Sequence, residues 1–171
     1  MFTSFKSVGL NLIFAIGLAT SAIAQDIQAP EGEVLLTAGG EISVTNVDET
    51  LQFDLAALTE MDSTAFETET IWTDGVHTFE GVSLHVFADL VGAEAGTFLA
   101  AAINDYTVEI PVSDAVEGGP IIAYFMDGEE MSVRDKGPLW IIYPYDSSAD
   151  YRSEVIFSRS IWQLDRIEVV K

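Results

Sequence analysis

A chain of 171 residues with 28 Asp and Glu against seven Lys and Arg carries a formal charge of −21. Such a surface repels nucleic-acid phosphates and anionic lipid, which excludes both as partners. The absence of cysteine removes disulfides, thiolate nucleophiles and zinc–thiolate sites, so the fold depends on its core alone.

The first 24 residues have the pattern of a secretory signal peptide. Lys6 is followed by the apolar run Gly9–Ile23 and the small-x-small site Ala22-Ile23-Ala24. That run is shorter than the ~20 residues a membrane span needs, so cleavage after Ala24 and a periplasmic location are expected. Residues 25–50 divide into a mobile lead-in, Gln25–Glu33, and a β-hairpin. The hairpin pairs Val34–Thr37 with Glu41–Thr45 around Ala38-Gly39-Gly40. Residues 51–171 then form one globular unit with 34–50, long enough to bury its own core.

Leu51–Phe53 is extended, and Asp54 caps a helical turn at Leu55–Leu58. Phe66–Thr73 alternates β-branched and aromatic residues with acidic ones, as a strand does. Asp74-Gly75 turns the chain into a strand at Val76–Phe79 that Gly81 ends. Ser83 caps a helix over Leu84–Val91, whose Leu84, Phe87, Leu90 and Val91 form one apolar stripe, and Gly92 stops it. Thr97–Ile103 and Tyr106–Ile110 are strands around Asn104-Asp105, and Pro111 and Ser113 begin a short helical turn. Ile121–Met126 and Pro138–Tyr143 are apolar strands separated by the Asp127-Gly128 turn and the loop Arg134-Asp135-Lys136. Asp146–Asp150 is a polar loop, Ser153–Ser160 a brief helix and Trp162–Val170 a last strand. Many strands and few short helices define an α+β class with a mixed β-sheet core.

Enzymatic motifs are missing. There is no Gly-x-Ser-x-Gly elbow, phosphate-cradling glycine loop or His-Glu-x-x-His zinc signature. His77 and His85, the two imidazoles, lie eight apart, a spacing that does not suggest joint ligation. Binding chemistry is better represented. Trp72, Trp140 and Trp162 are large planar groups, and the cations Arg134, Lys136, Arg152, Arg159 and Arg166 concentrate in the C-terminal half. Planar ligands are held by stacking on such groups with polar contacts at their edges. Asp105 has the charge to pair with the donor edge of an aminopyrimidinone ring. In Pro138–Tyr143, Trp140 alternates away from Leu139 and Ile141 and neighbours the basic loop. Arg166, beside Asp165 and Glu168, has the setting of a solvated strand residue.

Several segments, in order, resemble the oxidoreductase molybdopterin-binding domain, the sulfite oxidase fold. They are Phe79-Glu80-Gly81-Val82-Ser83-Leu84, Asn104-Asp105-Tyr106, Ala123-Tyr124-Phe125-Met126-Asp127-Gly128, Lys136-Gly137-Pro138-Leu139-Trp140 with Pro144, and Trp162 followed by Ile167 and Val169. The resemblance spans about Leu51 to Val170. Enzymes of that family ligate molybdenum through a cysteine, for which this chain offers only Thr70-Ile71-Trp72-Thr73. Trp140 stands where the family carries an arginine, and Ile161 where it carries a lysine. The chain is accordingly similar to the small periplasmic, cysteine-less, PruR-like type. That resemblance implies a non-catalytic protein that binds a reduced pterin without metal. It also implies a report to an inner-membrane partner such as a diguanylate cyclase/phosphodiesterase or histidine kinase. The alternatives are a molybdopterin-dependent oxidoreductase-like protein and a ligand-free partner-binding domain. Under the pterin reading Trp72 and Trp140 stack on the ring and Asp105 accepts from its amino edge. Arg134 or Arg159 donates to its carbonyl, and Tyr124 or Tyr143 lines the wall.

Overall fold

The computed structural model describes residues 27–171; the expected signal peptide, residues 1–24, lies outside them. Two sheets enclose the core. In the first, strands β1 (Leu36–Gly40), β2 (Leu51–Phe53), β5 (Thr97–Ala102), β6 (Thr107–Pro111) and β10 (Leu164–Val170) run in the order β2-β1-β10-β5-β6. Among these described strands only β1 and β10 pair in parallel. In the second, β3 (Ser63–Glu69), β4 (Val76–Ser83), β7 (Ile121–Met126) and β8 (Glu129–Glu130) are antiparallel neighbours, and β9 (Trp140–Ile142) also pairs with β7. Helices α1 (Leu55–Glu60), α2 (Leu84–Val91) and α3 (Glu154–Arg159) are short.

Local chemistry explains most element boundaries. Asp54 accepts from the Ala57 amide at 2.9 Å and so caps α1. Ser83 caps α2 through the His85 amide, and Gly92, left-handed at φ 74°, closes it. The stripe on α2 buries Leu84, Phe87 and Val91; Phe87 meets Phe53 and Phe98 at ring-centroid distances of 6.5 and 6.0 Å. Burying one such ring stabilises the fold by about 1.5–3 kcal/mol. Asp127 and Gly128 both take positive φ, the requirement of a tight two-residue hairpin turn between β7 and β8.

Three expectations fail for physical reasons. The hairpin around Ala38-Gly39-Gly40 does not form. Those residues lie inside β1, which pairs with β2 and with distant β10, so partners far along the chain replace the local one. Of the lead-in, Gln25 and Asp26 lie outside the described residues, and Glu31 and Gly32 are held by their backbone: Asp54 Oδ2 also accepts from the amides of Glu31 (3.1 Å) and Gly32 (2.8 Å). Gly81 does not end its strand. It lies within β4 at an irregularity in the β4–β7 register, where a Cβ would come within 2.1 Å of the Ile122 carbonyl oxygen. Glycine here permits close backbone approach rather than a turn.

Candidate functional site

One cleft of about 450 Å³ opens where four segments meet. The turn after β3 supplies Trp72, and the β5–β6 turn supplies Asn104 and Tyr106. Helix α3 supplies Phe157 and Ser158, and the segment joining α3 to β10 supplies residues 160–163. Each segment contributes one aromatic wall residue, Trp72, Tyr106, Phe157 and Trp162, and the volume falls in the range of about 300–1,000 Å³ typical of small-molecule sites.

Trp72 is the hub. Its ring lies 5.7 Å from that of Trp162, 5.8 Å from those of Trp140 and Phe157, and 6.3 Å from that of Tyr145, all edge-on. Its turn is held at both ends. The Thr70 hydroxyl accepts from the amides of Trp72 (3.1 Å) and Thr73 (3.0 Å). At the other end His77 Nδ1 lies 2.7 Å from Asp127 Oδ2, and Nε2 lies 3.0 Å from the Asp74 carbonyl oxygen. The Asp127 hydrogen bond raises the His77 pKa above its ordinary value, and the same bond lowers that of Asp127.

Ser160 ties the floor of the cleft together. Its carbonyl accepts from Trp140 Nε1 at 3.1 Å, and its hydroxyl accepts from Tyr145 Oη at 2.6 Å and donates to the Ile156 carbonyl at 2.9 Å. Burial pushes the Tyr145 hydroxyl up to about 12. At the polar edges, Asn104 Oδ1 accepts from the Tyr106 amide and Gln163 Nε2 donates to the Val133 carbonyl. This leaves the Asn104 amide nitrogen as a donor and the Gln163 side-chain oxygen as an acceptor. Lys136 Nζ stands 5.1 Å from the Trp162 ring centroid and 5.7 Å from that of Trp140, a cation–π arrangement at the end of the basic loop.

The residues singled out from sequence disperse. Trp72 lines the cleft. Trp140 lies beneath it and does neighbour the basic loop, with Lys136 Nζ over its ring, but it is fully buried and offers no face to a ligand. Strand β9 is covered on both sides, so Leu139 to Tyr143 are all buried and a period of two carries no information. Asp105, exposed at positive φ between two cleft residues, pairs with Arg166. Arg166 is thus engaged by Asp105 and by Asp165 rather than merely solvated. Arg134 is exposed on the loop. Arg159 turns to Asp114: its Nη1 donates to Asp114 Oδ2 at 2.8 Å, and Tyr143 Oη donates to the same oxygen at 2.8 Å. Burial and the Asp114 charge push the Tyr143 hydroxyl far up. Tyr124 is buried on β7 against Phe125; burial, then Glu80, raises its pKa. Tyr106, Phe157 and Trp162 line the cleft without having been expected there. Trp162 had a signal in the terminal Trp-x-x-x-x-Ile-x-Val pattern, whereas Tyr106 and Phe157 join the cleft only through tertiary contacts.

Among the described residues no group of three His, Asp or Glu side chains is placed to hold a metal ion, and the chain has no cysteine. The donor set therefore does not fit a thiolate-ligated molybdenum.

No protein-family model matches the chain, and no curated protein does. Solved structures do match. The sulfane dehydrogenase SoxCD from Paracoccus pantotrophus superposes with a TM-score of 0.56 at 16% identity, covering 78% of this chain and 37% of that one. The chain thus spans little more than a third of that protein's length. The likeness is one of fold: a strand-dominated α+β unit of the sulfite-oxidase, molybdopterin-binding architecture.

Proposed function

We propose that this chain is a binding domain on the molybdopterin-oxidoreductase fold that takes a pterin-like ring, without molybdenum, into the cleft beside Trp72. The observation that carries the reading is the cleft itself. Aromatic walls from four segments enclose a space with one free amide donor and one free amide acceptor at its edges. Stacking supplies affinity and the paired edge groups supply selectivity for a ring that presents both a carbonyl and an amino group. Roles shift accordingly from those inferred by resemblance. Trp72 and Trp162 stack, while Trp140 supports Trp72 from below. Asn104 and Gln163 replace Asp105, Arg134 and Arg159 as edge partners. Tyr124 and Tyr143 stiffen the sheets.

The signalling half of the reading, in which a periplasmic chain reports occupancy to an inner-membrane receptor, rests on the sequence resemblance alone. A second reading, an oxidoreductase-like protein, is favoured by the fold likeness to a dehydrogenase and has more support than signalling. It requires redox chemistry that does not use a cysteine-bound metal.

The deciding experiment is a thermal-shift titration of the purified protein with 7,8-dihydrobiopterin, with guanine as control. Ligand at 100 times its dissociation constant adds about 2.7 kcal/mol, or roughly 5–10 °C for a domain of this size. A saturable rise that Trp72→Ala abolishes supports the binding reading, and no rise overturns it. Bound molybdenum, or turnover of an artificial electron acceptor, would establish the second reading instead.

A further inference from the structure

We propose that His77 is a positioning residue whose protonation holds the Trp72 turn in place, so that the shape of the aromatic cleft depends on pH. As it bears on ligand affinity, the inference rests on the binding reading above; as it bears on Trp72, it stands alone.

Both ring nitrogens of His77 face oxygen acceptors: Nδ1 the Asp127 carboxylate at 2.7 Å and Nε2 the Asp74 carbonyl at 3.0 Å. A neutral imidazole has one N–H and satisfies one of them; its other nitrogen then directs a lone pair at an oxygen. Imidazolium satisfies both. The charged Asp127 carboxylate is the stronger acceptor, so the neutral ring keeps its one N–H on Nδ1, towards Asp127. The Asp74 carbonyl accepts no other hydrogen bond among the described residues. Deprotonation therefore releases the Asp74 side of the clamp.

That side carries Trp72. Residues 70–75 are fixed at one end by the Thr70 hydroxyl and at the other by His77. Between them Trp72 packs edge-on against four rings of the cleft and its floor.

The charges facing His77 come from two elements. Asp127 approaches from the β7–β8 turn and Asp74 from the histidine's own turn. Across β3 its register partner is the uncharged Thr68, with Glu67 and Glu69 opposite Thr78 and Val76. The Thr68 hydroxyl is in turn bonded to Asp146, the ion partner of Arg152. The charges acting on the ring are thus acidic and favour the protonated form, in keeping with a pKa raised above 6.5. The clamp is then complete below about pH 6.5 and opens as pH rises through the raised value.

The test is ligand-free NMR of the whole protein from pH 5 to 9. It follows the His77 ring nitrogens and the Trp72 indole resonance, the latter assigned with Trp72→Phe. The expected result is doubly protonated His77 at low pH and a Trp72 resonance that moves with the same midpoint, above 6.5. His77→Gln should remove that movement and His85→Gln should leave it. A His77 midpoint at or below 6.5, or a Trp72 resonance indifferent to it, overturns the proposal, and wild-type spectra alone suffice to show either. In a second arm, affinity for 7,8-dihydrobiopterin should fall several-fold across the same midpoint in wild type and not in His77→Gln. Coupled titration without pterin uptake at any pH supports the clamp and refutes the binding reading. Tight uptake that is flat in pH, with Trp72 uncoupled, does the reverse.

Discussion

Asp114→Ala should be among the costlier single changes outside the main core, because one carboxylate oxygen serves two donors. Arg159 Nη1 and Tyr143 Oη each lie 2.8 Å from Asp114 Oδ2. The carboxylate side chain is 16% exposed and the guanidinium 23%. Removing one partner of a fully buried ion pair costs about 3–5 kcal/mol. Water reaches part of this pair, so the charge left behind is partly rehydrated, and the expected loss drops to roughly 2–3 kcal/mol. Tyr143 then loses its acceptor as well, which keeps the value well above that of a surface pair. With a urea m-value of about 2 kcal/mol/M, the unfolding midpoint should fall by roughly 1–1.5 M. Asp114→Asn keeps an acceptor for Tyr143 and should cost less. Tyr143→Phe leaves the ion pair intact and should cost about 1 kcal/mol. Equilibrium urea unfolding at pH 7, followed by tryptophan fluorescence and circular dichroism, ranks the three. A change under about 0.5 kcal/mol for Asp114→Ala, the size of an ordinary surface substitution, would refute the reasoning that this carboxylate stabilises the fold by serving both Arg159 and Tyr143.

Gly81→Ala places a Cβ against the backbone of Ile122 and Ala123, at 2.1 and 2.6 Å. No flexible side chain can yield there, so the loss should be about 3 kcal/mol, at the top of the overpacking range. Calorimetry should show this as a drop of roughly 6–12 °C. Trp140→Phe strands the Ser160 carbonyl that its indole N–H satisfies. A loss of about 2–4 kcal/mol in chemical unfolding is expected, with weaker ligand uptake because Trp72 loses its support. Asp54 is held below its ordinary pKa of 3.8 by the amides of Ala57 and Gly32. Its contribution is present above the unfolded value and lost as pH falls through the lowered one. Asp54→Asn should therefore flatten the stability profile below about pH 4, measured as the urea midpoint against pH. Tyr145, pushed up to about 12 by burial, should add no phenolate absorbance until the fold is lost or that pH is reached, as an alkaline spectrophotometric titration would record.

Local chemistry was legible from the residues alone. The cap at Asp54, the bounds of α2 between Ser83 and Gly92, and the Asp127-Gly128 turn depend on neighbours within a few positions, so spacing and residue type suffice to find them. The α+β class followed from counting strand and helix patterns, and the ordered motifs pointed to the fold that the solved structure shares.

Pairings between distant segments were decided by the tertiary structure. Ala38-Gly39-Gly40 has turn composition, but β10, more than a hundred residues away, claims it as strand. Gly81 looks like a terminator because a sequence cannot show that β7 passes within touching distance of it. The site differed from its outline for the same reason. Trp140 could not be told from a surface stacking residue until β9 was seen covered on both faces. Arg159 and Asp105 looked free for a ligand until Asp114 and Arg166 were found beside them. A side chain's own identity determines what it can bond, so the sequence alone supplied the aromatic rings and charges and excluded thiolate chemistry. Which donor meets which acceptor, and which ring still faces solvent, depends on segments brought together only when the two sheets close over the core.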